Sequence, residues 1–201
     1  RELLKDQFPD NLKIYGMTED GDRIELTRIG DLYNSPFQII AHRGGGRNSD
    51  RLGISENSIE MIQHAAILGA TGIEIDIKRT RDNELILFHD DTFSPRTVQG
   101  SYLLGKVENF DLNQIKMFGR LVNGEKIPTL MEALKCVVDK TTLNLVWLDI
   151  KDPATVDKAI QIQKDAELYA ASKGSNLQIL FGIPSEEILT AYRNSPLANT
   201  N

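Results

Sequence analysis

GIEIDIKRT (72–80) is the stretch on which the fold turns. Ile73, Ile75 and Ile77 alternate with Glu74, Asp76 and Lys78, and in an extended chain alternate side chains point to opposite faces. Three other segments share the design of an apolar run ending in polar residues: IIAHRG (39–44), ELILFHDD (84–91) and NLVWLDIK (144–151). Parallel strands covered on both faces read as nearly continuous apolar runs. Barrels of the β/α type carry their chemistry at the C-terminal ends of such strands. Two histidines, three carboxylates, an arginine and a lysine delivered in this way look like a metal-assisted phosphoryl site.

Outward from this stretch, strand and helix patterns alternate from Phe37 onward, the signal of an α/β fold with a parallel sheet. Asn57 with Glu60 reads as a capping box, opening a helix with Ile59, Ile62, Ala66 and Gly69 on one face. The link Arg81-Asp82-Asn83 is too short for a parallel crossover. Either strands 72–79 and 84–90 pair antiparallel, or a barrel helix has been lost between them. Residues of about 92–128 are polar and too long for a plain connection, which suggests a functional insertion. Thr129 with Glu132 forms a second capping box, ahead of Leu130, Leu134 and Val137. The strand at 144–151 leads through Asp152-Pro153 into a helix over about 155–172, with Gly174 placed to end it. LQILFGI (177–183) reads as a fifth strand, and Ser185-Glu186-Glu187 begins another helix.

Residues 1–35 differ in pattern. LKIYGM and RIELTRI flank TEDGD, which predicts a β-hairpin around Asp20 and Gly21. We therefore expect an N-terminal extension over 1–35 and one domain over 36–201. No internal repeat or low-complexity tract is visible. The 201 residues suffice for one good-sized core, or for a domain plus an extension. A net charge of −6 argues against a general nucleic-acid binder, while local positive charge can still serve an anionic substrate. The single Cys136 rules out an internal disulfide framework. No apolar run approaches the ~18 residues needed to span a membrane. The chain begins at Arg1 without a signal-like stretch, compatible with removal of an upstream targeting peptide. Location stays open between the periplasm, secretion and the cytoplasm.

Glu74 and Asp76 share a strand face about 7 Å apart by strand rise. Two unpaired carboxylates pointing into a barrel mouth repel each other and are costly to desolvate. A divalent cation with hard oxygen ligands, Mg²⁺ or Ca²⁺, relieves both costs. The same alternation also suits a surface strand with solvated charges. Asp149 and Lys151 repeat the pattern, the carboxylate as a third metal ligand and the lysine for a phosphate oxygen. His42 ends the first strand and is followed by Arg43, whose planar fork suits phosphate. The three glycines after it allow close backbone approach to a ligand. His89 ends the third strand. Imidazole, with an ordinary pKa of about 6.5, suits general acid and base work across one phosphodiester bond. His64, inside the first helix, reads as a surface or packing residue, and Gln63, Trp147 and Cys136 carry no signal separable from packing.

AHRG (41–44), ENS (56–58), GIEIDIKRTRDNELILFHDDTFSPRTVQGS (72–101), IPTLMEAL (127–134) and WLDIK (147–151) together resemble the glycerophosphodiester phosphodiesterase family, over about residues 37–185. The resemblance implies a TIM (β/α)8 barrel, present here as about its first five strands, with an insertion after the third. It implies His42 and His89 as the catalytic acid/base pair, Arg43 and Lys151 as phosphate-binding residues, and Glu56 and Asn57 in supporting roles. Glu74, Asp76 and Asp149 become the ligands of one divalent cation, Mg²⁺ or Ca²⁺. The implied activity is hydrolysis of glycerophosphodiesters to glycerol 3-phosphate and an alcohol. Alternatives are a related phosphodiesterase for lysophospholipid or phosphoinositol head groups, or a catalytically silent ligand-binding relative.

The expected partner is a small-molecule diester, with no nucleic acid and no transmembrane segment. Asp149 stands where the family usually has Glu, one methylene shorter, so adjusted or weakened metal binding is expected rather than its loss. Strands six to eight are not recognisable in the sequence. The expectation is a longer chain, with a homo-oligomer completing the barrel, or a piece that is not a competent enzyme, as the alternatives.

Overall fold

The computed structural model describes residues 14–17, 23–26 and 38–198. The chain divides into two compact units, 1–38 and 39–201. In the first, β1 (Ile14–Met17) pairs antiparallel with β2 (Arg23–Leu26), Ile14 opposite Leu26 and Met17 opposite Arg23. The expected turn at Asp20 and Gly21 lies outside the described residues.

The second unit is built on a five-stranded sheet. β3 (Ile40–Ala41), β4 (Gly72–Arg79), β8 (Leu145–Asp149) and β9 (Gln178–Gly182) lie side by side in that order, all parallel. The fifth strand, β5 (Leu85–Leu87), pairs antiparallel with β4, with Ile77 opposite Leu87 and Arg79 opposite Leu85. The short link at 81–83 is thus a hairpin turn. Asn83 supplies a left-handed residue at φ 60°, a conformation that asparagine tolerates. Thr80 Oγ1 binds Asp82 Oδ1 at 2.6 Å and accepts the Glu84 N–H at 2.9 Å. The strand ends at Leu87, so His89 stands two residues beyond it.

Strand alternation sets the two faces of the sheet. Ile73, Ile75 and Ile77 are buried with Val146, Leu148 and Ile179 in the main core, against α1 (Ile59–Ile67), α3 (Leu130–Lys140) and α4 (Val156–Ser172). The opposite face carries Ile40, Glu74, Trp147 and Leu180, and there the apolar side chains are exposed, Trp147 by 42%. Among the described residues, β3 and β9 each pair with a sheet neighbour on one side only. The acidic residues Glu74, Asp76 and Asp149 lie on the face of the sheet opposite the helices.

The helix ends show where sequence signals succeed. Thr129 caps α3 through the Glu132 N–H at 3.1 Å, and Glu132 reaches back to the Thr129 N–H at 2.8 Å. Ser185 caps α5 (Glu186–Asn194) through the Ile188 N–H. Gly174, at φ 67°, ends α4 as expected. The start of α1 is a correction: its cap is Ser58, which accepts the Met61 N–H at 2.9 Å. Asn57 cannot serve, because its side chain is committed to Asp76. Between β5 and α3 the insertion holds a small hairpin, β6 (Thr92–Phe93) with β7 (Gly105–Lys106), and the helix α2 (Leu112–Phe118). It has a core of its own, including Phe88, Phe93, Val98, Val107, Ile115 and Leu121.

Candidate active site

The C-terminal ends of β3, β4 and β8 bring their polar residues together. At the end of β3 the backbone turns sharply, with Arg43 left-handed at φ 53° and Gly44 at φ 80°. A left-handed non-glycine residue costs about 1–2 kcal/mol, offset here by what the turn presents to the site. The Arg43 N–H points at Glu74 Oε2 at 2.7 Å, and Nη1 binds both Glu56 oxygens at 3.0 and 3.1 Å. Arg43 Nε is buried without a hydrogen-bond partner, 3.8 Å from Asp76 Oδ2. Glu56 also receives the Asn48 N–H at 2.8 Å. His42 stays largely exposed beside them, with Nε2 3.8 Å from Glu74 Oε2.

β4 and β8 run in register with Asp76 opposite Asp149. Glu74, Asp76 and Asp149 converge, each offering an oxygen within 4.8 Å of the others. Asp76 is the deepest. Asn57 donates to its Oδ2 at 2.9 Å, the Asp76 N–H donates to Asn57 Oδ1 at 3.1 Å, and Lys151 Nζ lies 2.6 Å from Oδ1. Burial pushes the Asp76 carboxyl up, but the bonds from Lys151 and Asn57 outweigh it and hold the group below the usual carboxylate range. Glu74 behaves oppositely. Burial first, then repulsion from Asp76 and Asp149, pushes it up to about 7 against the bond from the Arg43 amide.

Lys151 also pairs with Asp149 Oδ2 at 2.9 Å. Burial pulls its ammonium down, but Asp76 and Asp149 raise it on balance. One ammonium therefore serves two carboxylates, while a third is driven towards neutrality. That donor set, three hard oxygens at ligand spacing in excess over their cation, fits a divalent ion.

His89 arrives from the β5 side. Its Nδ1 lies 2.8 Å from Asp90 Oδ1, and Arg96 holds the other Asp90 oxygen. Burial raises the Asp90 carboxyl, yet the bonds to His89 and Arg96 keep it below its ordinary range. His89 and Asp90 line a small cleft with Asn48, Glu56 and Asn57. Eight of the nine residues expected from sequence are thus joined by direct contacts or close oxygen spacing, while His89 meets them only along the cleft it lines with Glu56 and Asn57. His64 sits apart in α1, half-buried, with Nδ1 unpartnered.

Sequence reasoning missed three contributors. Asp90 fixes the His89 ring, a role that direct adjacency to a candidate histidine signals. Arg96 stands behind Asp90. Lys78 pairs with Asp91 at the mouth, as its place on the Glu74–Asp76 face could have suggested.

A parallel sheet with charged residues converging at the C-terminal ends of its strands is the arrangement on which β/α enzymes place their chemistry. The model of the glycerophosphoryl diester phosphodiesterase family matches residues 42–193, and the chain belongs to that family. It is 37% identical over 138 residues to a glycerophosphodiester phosphodiesterase of Caldanaerobacter subterraneus subsp. tengcongensis, covering 63% of this chain and 52% of that protein. A glycerophosphodiester phosphodiesterase of Arabidopsis thaliana is 34% identical over 181 residues, 87% of this chain and 44% of the relative. The chain therefore spans about half the length of these curated relatives. Among solved structures, an Oleispira antarctica phosphodiesterase in complex with the product sn-glycerol-3-phosphate superposes with a TM-score of 0.57 at 25% identity, over 80% of this chain and 63% of that one. A Parabacteroides distasonis glycerophosphodiester phosphodiesterase, at 24% identity and a TM-score of 0.56, shares the fold over 79% of this chain and 62% of its own. The scaffold is thus a TIM barrel of the phosphodiesterase type, present in part.

Proposed function

We propose that this chain carries the site for hydrolysis of glycerophosphodiesters to glycerol 3-phosphate and an alcohol. The convergence of Glu74, Asp76 and Asp149 beside Arg43, His42 and Lys151 carries this reading. The product named in the Oleispira antarctica complex supports the substrate class.

Glu74, Asp76 and Asp149 would hold one divalent cation, Mg²⁺ or Ca²⁺. Such an ion supplies Lewis-acid polarisation of a phosphoryl oxygen. Arg43, its Nη1 fixed by Glu56 and its Nε beside Asp76, would offer its guanidinium to a nonbridging oxygen. Lys151 would turn from its carboxylates to a second oxygen, where a cation stabilises developing negative charge. Glu56 and Asn57 support Arg43 and Asp76.

His42 and His89 divide the proton transfers. One takes the proton from the attacking oxygen, of water or of the substrate's own 2-hydroxyl, and the other gives a proton to the leaving alkoxide. Asp90, ionised and bonded to His89 Nδ1, directs the other ring nitrogen of His89 towards that work.

The test is release of glycerol 3-phosphate from glycerophosphocholine with Mg²⁺ or Ca²⁺ present. General acid–base groups contribute about 10²–10⁴-fold, so His42→Ala and His89→Ala should each lose that much turnover. Near-parental rates in both would overturn the reading. Faster turnover of a lysophospholipid or a phosphoinositol diester would keep the chemistry and replace the substrate.

A further inference from the structure

Glu125 belongs to the insertion, yet its carboxylate takes both polar groups of Ser55, 70 residues away in sequence. The Ser55 N–H reaches Oε1 at 2.9 Å and the hydroxyl reaches Oε2 at 2.6 Å. Ser55 Oγ in turn accepts the Asn123 N–H at 3.0 Å. Ser55 is fully buried, so water cannot replace these partners, and a buried donor left unpaired costs about 1–3 kcal/mol.

Both ends of this clamp are braced. On the insertion side Glu125 closes a tight turn. Its carbonyl accepts the Leu121 N–H at 2.8 Å, the Gly124 N–H bonds the Leu121 carbonyl at 2.9 Å, and Gln99 holds the Val122 carbonyl at 3.1 Å. On the site side, Ser55 directly precedes the two residues that support the charged cluster: Glu56 on Arg43, and Asn57 on Asp76. The approach to them, residues 47–54, offers only the single turn Asn48–Asp50 and the left-handed Arg51 and Gly53. On this approach no long helix or strand sets the height of Glu56 and Asn57 along the site. Beside the bonds of their own N–H groups to Asn48 and Arg43, the Glu125 carboxylate is the anchor that ties this approach to the insertion.

We propose that Glu125 is a positioning residue: by clamping Ser55 it fixes where Glu56 and Asn57 hold Arg43 and Asp76, and so couples the insertion to the phosphate end of the site. This rests on the diesterase reading above, and the experiment separates the two.

Partners behind a site's primary ligands typically contribute about 10–100-fold to activity or metal affinity, so Glu125→Gln should lower kcat/KM for glycerophosphocholine by that range. In Glu125→Gln an amide N–H₂ faces one of Ser55's donors. If Glu125 acts through Ser55, the double variant Ser55→Ala/Glu125→Gln should lose no more than the worse single variant, within about threefold. Losses that multiply, or parental kcat/KM in Glu125→Gln, would overturn the proposal. Should Glu125→Gln fail to fold, Ser55→Ala alone should show the same class of loss.

Amide exchange supplies a readout independent of turnover. The Glu56 and Asn57 N–H groups bond Asn48 Oδ1 and the Arg43 carbonyl, and in Glu125→Gln both should exchange about tenfold faster or more. Unchanged exchange there would also overturn the positioning role. A parental protein without turnover would remove the diesterase reading alone and leave exchange to judge Glu125.

Discussion

Lys151 Nζ lies 2.6 Å from Asp76 Oδ1 and 2.9 Å from Asp149 Oδ2, so one ammonium occupies the space between two carboxylates at metal-ligand spacing. Any cation entering the acidic trio meets this charge first. On the proposed reading the lysine and a divalent cation would compete for the same oxygens, and they would coexist only if Lys151 turned towards the substrate phosphate.

Replacing the lysine by methionine separates its two roles. At an effective dielectric of about 20, unit charges some 4 Å apart interact by about 4 kcal/mol, so removing the competitor should tighten divalent-cation binding by about tenfold or more. The same change removes a phosphate donor, and turnover should fall. Calorimetric titration of Lys151→Met with Ca²⁺ or Mg²⁺, beside steady-state rates, checks both. Weaker metal binding in this variant would mean that the ammonium organises the carboxylates rather than competing for them.

Glu74 makes the metal-free protein sensitive to pH. Its carboxyl is raised from an ordinary 4.5 to about 7 by burial and then by Asp76 and Asp149. The unfolded chain ionises first, so the folded state holds the extra proton between these values. Stability is then full below the lower value and is lost as pH rises through about 7. A shift of this size corresponds to about 3 kcal/mol. Asp76, held low, acts in the opposite sense and in a separate acidic window. Melting in chelator from pH 4.5 to 7.5 should show the decline in the parent and a flatter profile in Glu74→Gln. Added divalent cation should restore stability at the upper end by binding the folded chain. Parallel profiles would exclude Glu74 as the cause.

Much of this arrangement is legible from local pattern. The two-residue alternation of 72–79 put the isoleucines in the core and Glu74 with Asp76 on the opposite face, and parallel pairing brought Asp149 opposite Asp76. Thr129, Ser185 and Gly174 act where helix-end chemistry expects them. What local pattern could not supply depends on distant partners. Asn57 looks like a helix cap, but a buried carboxylate 19 residues on outbids the helix end for its amide, and Ser58 takes the cap. The antiparallel pairing of β5 stood as one of two options until the Asn83 turn settled it. Glu125 gave no signal at all, since neither spacing nor composition links a polar turn to a serine 70 residues earlier.

Asp149 is the residue for which the sequence suggested weakened metal binding, and its geometry bears on that expectation. The shorter side chain already places an oxygen within 4.8 Å of Glu74 and Asp76, because the register sets Asp149 directly beside Asp76 on adjacent strands. Length therefore does not keep Asp149 from reaching the other two carboxylates. Asp149→Glu adds a methylene that must fold back to reach the same point, with Lys151 and Asp76 already close. Charge is what matters, since a divalent ion with hard oxygen ligands depends on the number of carboxylates. Asp149→Asn, which keeps shape and removes charge, should weaken divalent-cation affinity by at least about tenfold, a loss typical even of the groups that support metal ligands. Asp149→Glu should change it by less than about tenfold in either direction. Titration of both variants with the same ion decides the matter. A large gain in Asp149→Glu would show that the aspartate falls short of the metal, and equal affinities in the parent and Asp149→Asn would remove this residue from the ligand set.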